Sequence, residues 1–278
     1  MDVDPLADTV PPRYAVESDE EDEFNPLPTI VSNLDRVNEV KLMPDSVPQG
    51  KNLVIVTGDV AKCWVPGANL GMQIGGVYLN KIQIGLVFSP SWAKSIVVVS
   101  EPFTRLPVWA MHQYASAILD TLKPVKVALL DMYSAPAYIS EKPVPFEDAP
   151  LRYLATHSVD DITKSKAEAF APPNILQSTS ASFLSVLSTT HSQSRGTLIL
   201  VPSPHIDPPP PRVLKPTSSF DSDRVTFEWS ETTINLAQDL VFGAIDGIAP
   251  HWTPHIGGGG ITSSTRKKSD VGEGGMYI

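Results

Sequence analysis

The chain has 278 residues, 42% hydrophobic and 19% charged, with 27 prolines and a net charge of −10. Residues 1–24 hold nine acids against Arg13 alone, which is eight of the ten net negative charges, so the rest of the chain is nearly neutral. These numbers allow one large domain or two small ones with a real core, and they argue against an uninterrupted helical array, a basic nucleic-acid-binding stripe and a cationic signal peptide.

Residues 1–28 read as a disordered acidic leader. Repulsion within Ser18-Asp19-Glu20-Glu21-Asp22-Glu23 opposes collapse, and prolines at 5, 11, 12, 26 and 28 interrupt any helix. The leader either solvates the chain or docks on a basic partner, with phosphate on Ser18 deepening its charge. A domain is assigned to 29–250, and regular structure is expected from about residue 51. There Leu53-Val54-Ile55-Val56-Thr57 reads as a buried strand closed by the turn Gly58-Asp59. Two extended segments, about 72–79 and 81–88, flank Asn80-Lys81, and alternating Ile82, Ile84 and Leu86 make them a hairpin. Further strands are expected at 95–100, 125–131, 151–156 and 197–201, rich enough in Val, Ile and Leu to sit centrally with both faces covered.

Helices fall between them. After Pro107, the residues Val108, Met111, Ala115, Ile118 and Leu122 recur at steps of three and four until Lys123-Pro124. A weaker helix covers about 178–190 through Phe183, Leu184 and Leu187. A stronger one runs over 231–249, with Ile234, Ala237, Val241, Ala244 or Ile245, and Ile248 on one face. The fold class is therefore α/β, a layered domain with a central mixed sheet flanked by helices, between disordered N- and C-terminal tails. Loops are expected at 141–150 and over the Pro-rich stretch 202–216, where Pro208-Pro209-Pro210-Pro211 reads as a stiff loop or a polyproline ligand. No apolar run, Ile96-Val97-Val98-Val99 included, approaches the roughly 20 residues that span a bilayer. A soluble intracellular protein without membrane or nucleic-acid partners is the expectation.

Catalytic signatures are absent. The sequence lacks G-x-S-x-G, H-E-x-x-H, a Walker lysine loop and G-x-G-x-x-G after a strand. His251 and His255 lie four apart with Pro254 between them, which spoils a helical metal pair. The single cysteine, Cys63, rules out an internal disulfide and reads as a small buried core residue. Asp131, Glu147 and Asp148 are available acids that spacing alone does not bring into one cleft. No catalytic residue, cofactor or metal is assigned.

The chain end carries the sharper signal. Residues 251–278 form a Gly-rich, flexible tail, and 257–275 of it reaches about 24 Å root-mean-square. It finishes on Met276-Tyr277-Ile278. Met276 adapts to an irregular apolar wall, Tyr277 fills a slot and hydrogen-bonds at its tip, and the Ile278 carboxylate suits a lysine or a backbone nest. At roughly −0.3 kcal/mol for each of about 29 heavy atoms, the ceiling is near −9 kcal/mol before the arm is ordered. Useful affinity thus calls for a second contact, from the body or from a partner's tail.

Hydrophobic-Tyr-X is the terminal signature of partners that dock between α subunits of the 20S proteasome. With the acidic leader and the strand and helix order over 51–250, including Leu53–Asp59, Gly85–Ser89 and Pro107–Pro124, the chain resembles the proteasome assembly chaperone 1 family, in its fungal form. The resemblance implies a non-enzymatic chaperone that works as a heterodimer with a second, related assembly chaperone on the outer face of the α ring. It implies that Met276, Tyr277 and Ile278 enter a pocket between 20S α subunits, and that the protein is cytoplasmic and nuclear. Two other classes stay open: a small-molecule enzyme on a nucleoside-phosphorylase-like α/β sheet, and an adaptor using the acidic leader or the Pro-rich loop.

Overall fold

A computed structural model describes residues 39–44, 46–140, 144–215 and 229–254. Both tails, and with them Met276, Tyr277, Ile278 and His255, lie outside the described residues.

Nine strands form one mixed sheet, flanked by helices, as the apolar runs and amphipathic stripes require. They are β1 (Val40–Met43), β2 (Leu53–Thr57), β3 (Gln73–Leu79), β4 (Ile82–Phe88), β5 (Ile96–Ser100), β6 (Lys126–Ser134), β7 (Arg152–Ala155), β8 (Glu168–Ala169) and β9 (Arg195–Ser203). Across the sheet the order is β1-β3-β4-β5-β2-β6-β9-β7-β8. The centre, β5-β2-β6-β9, is parallel, and β1, β3 and β4 add an antiparallel wing. The helices are α1 (Gly58–Gly67), α2 (Val108–Leu122), α3 (Asp161–Lys166), α4 (Thr179–Thr189) and α5 (Glu231–Gly243).

The period of two sorts the central strands into two cores. Leu53, Ile55, Ile96, Val98, Leu129 and Leu198 point to α2 and α4, where they meet Ile118, Leu119, Phe183 and Leu187. Val54, Val56, Val97, Val99, Leu130 and Ile199 point to α1 and α5, where they meet Trp64, Ile234 and Phe242. All of β2 and β5 is buried, which explains why these strands read as unbroken apolar runs. Asn80 and Lys81 both take positive φ, 50° and 71°, the geometry that a two-residue hairpin turn demands.

Several expectations are corrected. Regular structure starts at β1, before residue 51, because the short Val40–Met43 strand gains its hydrogen bonds from β3 rather than from its own pattern. Gly58-Asp59 opens a helix instead of a turn: Gly58 (φ 68°) redirects the chain, and Val60, Ala61 and Trp64 then bury one face of α1 despite Pro66. β7 is not central. It lies antiparallel to β9 with only two-residue β8 outside it, and most of its residues are half-buried. Helix α5 stops at Gly243 instead of 249, since Asp246 turns left-handed (φ 55°) and Gly247 N–H closes on Phe242 O at 2.8 Å. Val108 and Ile248, both assigned to buried stripes, are exposed. Cys63 is half-buried instead of core.

Residues of the Pro-rich loop are tied down at its far end. Trp109 Nε1–H donates to Arg212 O (3.2 Å), Thr104 Oγ1–H donates to Lys215 O (2.8 Å), and Leu214 packs on the α2–α4 core.

One close approach gives a direct test of this packing. A Cβ on Gly85 would lie 2.5 Å from the Tyr114 hydroxyl, which is fully buried and shares a hydrogen bond with Ser100 Oγ (2.9 Å). Gly85→Ala is expected to destabilise the fold by about 2 kcal/mol, since neither ring nor strand has room to shift. Thermal unfolding checks this, with a fall of about 4–8 °C expected.

Candidate functional site

Two arrangements bear on function: the root of the C-terminal tail, and a polar cluster at the carboxyl ends of the parallel strands.

Residues 250–253 are held in a clamp built on α1 and α5. Gln238, buried on α5, accepts from Trp64 Nε1–H (2.8 Å) and donates through Nε2 to Pro250 O (2.6 Å). Asn235, one turn earlier, accepts from Trp252 N–H (2.8 Å) and donates back to Trp252 O (3.0 Å). The Trp252 indole N–H donates to Trp64 O at 2.7 Å, and its ring is buried. Gly67 makes this possible, because a Cβ there would sit 2.4 Å from both Thr253 O and the Trp252 indole nitrogen. Trp64 and Trp92 then pack around Phe242. Contact with the body therefore extends to Trp252, past Pro250, although composition alone gave that stretch no core role. The three assigned docking residues follow beyond the described part of the chain.

The second arrangement comes from register. Thr57 and Ser100 are cross-strand partners at the ends of β2 and β5, and Asp131 on β6 lies one step beyond the Val56–Leu130 pair. All three continue the strand positions that face α2 and α4. The first turn of α4 covers them: Ser178 caps the helix, Ser180 Oγ hydrogen-bonds Thr57 Oγ1 (2.9 Å), and Thr179 is buried. Asp131 Oδ1 accepts from Met132 N–H (2.8 Å), while Asp131 Oδ2 and Thr179 Oγ1 are buried without a hydrogen-bond partner. The hydroxyls of Ser178, Ser180 and Thr57 surround the carboxyl without reaching Oδ2 in bonding geometry, Thr57 and Ser180 being engaged with each other. Burial pushes the Asp131 carboxyl well above its ordinary range, and these hydroxyls offset only part of that.

Glu101 completes the cluster. It follows β5 in a left-handed conformation (φ 59°) that turns its carboxylate back onto Leu106 N–H, just ahead of α2. Burial raises its pKa to about 7, opposed by the Leu106 N–H bond and by the nearby Thr179 hydroxyl, and supported by the charge of Asp131. The structure thus joins Asp131 to Glu101, an acid the sequence did not single out, and leaves Glu147 and Asp148 exposed in a short 3-10 turn. The missed signal was an acid directly after a buried strand, but without the fold it looks like any loop residue. The hydrogen-bond partners of both carboxyls are backbone N–H groups, with hydroxyls close by, so the cluster can hold a proton between the strand ends and the starts of α2 and α4.

Other candidates resolve simply. His251 Nδ1 faces Glu231 at 3.7 Å. Among the described residues no group of three His, Cys, Asp or Glu side chains could hold a metal ion, and no helix is long and apolar enough to cross a membrane.

Comparison with known proteins matched no family model and no curated protein. Solved structures do resemble the chain. PbaA from Pyrococcus furiosus, described as an archaeal homologue of proteasome-assembly chaperone, is 10% identical with a TM-score of 0.46, over 76% of this chain and 88% of that one. PbaB from the same organism, described as an archaeal proteasome activator, is 12% identical with a TM-score of 0.42, over 60% and 81%. A PAC2 family protein from Streptomyces avermitilis is 10% identical with a TM-score of 0.39, over 72% and 88%. At 10–12% identity the likeness is one of fold alone.

Proposed function

We propose that the protein is a non-enzymatic chaperone of 20S proteasome assembly, which docks by inserting Met276, Tyr277 and Ile278 into a pocket between α subunits. The observation that carries this is the sequence Met276-Tyr277-Ile278, an apolar-Tyr-apolar peg after a glycine-rich stretch. The clamp around Trp252 supports it by fixing where the tail leaves the body, so the reach of the arm is measured from a defined point. Because three residues alone give a weak ligand, the protein acts as a heterodimer with a second, related chaperone, and two tails or a tail and a body surface share the load. Its place of action is the outer face of the α ring, in cytoplasm and nucleus.

The test is to move the carboxylate. A chain extended by three glycines after Ile278 should lose at least about tenfold in affinity for 20S particles, because the charge no longer reaches its partner. Undiminished affinity contradicts the insertion.

A second reading, catalysis on small molecules, draws on the Asp131–Glu101 cluster, since ligands of open α/β sheets bind outside the carboxyl ends of the strands. The engagement of both acids by backbone N–H groups favours a structural role for them.

A further inference from the structure

A cavity of about 250 Å³ opens at the other end of the sheet, where β9 begins and α4 ends. Its wall carries Arg195, His157 and the polar side chains of Thr156, Ser188, Ser192 and Gln193. It shares no residue with the tail clamp or with the Asp131 cluster.

We propose that this cavity is a binding site for a phosphate monoester, with Arg195 as its anchoring cation. Three observations carry the assignment. First, Arg195 and Lys126 are direct cross-strand partners in the parallel β6–β9 pair, where like charges are destabilising unless each is compensated. Lys126 is engaged by Asp246, whereas Arg195 makes no ion pair among the described residues. Second, although Ser188 Oγ–H donates to Ser185 O and Thr156 Oγ1 accepts from Gly196 N–H, the wall also carries the hydroxyl of Ser192 and the amide of Gln193, and the guanidinium fork matches phosphate oxygens in pairs. Third, the volume lies below the roughly 300–1,000 Å³ of drug-sized sites, which suits one small anionic group.

The surrounding charges are accounted for. Of the acids on adjoining elements, Asp246 faces Lys126 and Asp120 faces His191 Nε2 at 3.1 Å. The carboxyl end of α4 contributes about half a negative charge, which the full charge of Arg195 exceeds. His157 reports the field: burial first, and then Arg195 and Lys126, hold its ring below the usual histidine range. A dianion in the cavity reverses the electrostatic part of that, so binding draws a proton onto His157.

The experiment follows the His157 ring by NMR in the full chain while inorganic phosphate, and separately a phosphoserine peptide, is titrated in at constant ionic strength. The expected result is a saturable shift at about 1–10 mM for at least one probe, with the His157 titration midpoint moving to higher pH. The probe that binds tighter identifies whether the phosphate is free or borne on a protein. Arg195→Gln, at an exposed strand end, should keep the melting temperature and weaken the shift at least about fivefold. A response that stays linear for both probes, or one that Arg195→Gln leaves unchanged, overturns the proposal.

Discussion

Replacing Glu101 with Gln is expected to flatten the dependence of stability on pH. The carboxyl titrates near its ordinary value of 4.5 when unfolded and at about 7 when folded, so the folded state binds the extra proton between those values. Stability contributed by protonated Glu101 is complete below pH 4.5 and is lost as pH rises through 7. Between pH 5 and pH 8 the parent should lose at most about 2.5 kcal/mol from this group, less whatever solvent screening the half-buried position allows. Asp131 adds to the loss with the same sign, since burial raises its pKa too. A Gln at 101 can still accept from Leu106 N–H, and its amide can donate to Thr179 Oγ1 or to Asp131, whose free atoms are now unmatched. The variant should therefore equal the parent near pH 5 and exceed it at pH 8. Urea unfolding at a series of pH values decides this, and parallel slopes for the two proteins would mean Glu101 is ionised in the folded state throughout.

Changing Tyr277 to Ala is expected to have the largest effect on binding while leaving the fold untouched. Buried aromatic anchors at interface centres cost about 2–4 kcal/mol when truncated, so affinity for 20S particles should fall about 100-fold. The melting temperature is expected not to move, since Trp252 is the last core residue among the described residues. Quantitative pull-down of α subunits with parent and variant, beside a melting curve of each, separates lost docking from lost structure. Equal recovery with Tyr277 intact or removed counts against a role for the chain end.

What could be read without coordinates was set by burial. Strands covered on both faces, such as β2 and β5, need no partner information, because their own apolar runs define them, whereas the register that pairs Ile55 with Val98 and Leu129 came only with the fold. The α2 and α4 stripes were legible for the same reason, because one helix face meets one sheet face. Elements whose stability comes from elsewhere were not legible. β1 exists because β3 offers it hydrogen bonds, and α1 exists because Trp64 is packed by residues more than 170 positions away, against the advice of Gly58, Pro66 and Gly67. The same limit hid the Asp131–Glu101 cluster and the Arg195 cavity, which are assembled by strand order rather than by spacing along the chain. The chain end is the opposite case. The proposed docking peg is three consecutive residues, Met276, Tyr277 and Ile278, so it can be read along the chain, and the described fold adds only the clamp at Trp252 that precedes it.

The most direct test is an electron cryomicroscopy map of the chain, together with its partner, bound to 20S core particles or their α-ring precursors. Insertion predicts density for Met276, Tyr277 and Ile278 inside a crevice between adjacent α subunits, with the Ile278 carboxylate against a basic group. A map in which the body sits on the ring while those residues lie outside every crevice, or against the chain's own surface, would contradict the account.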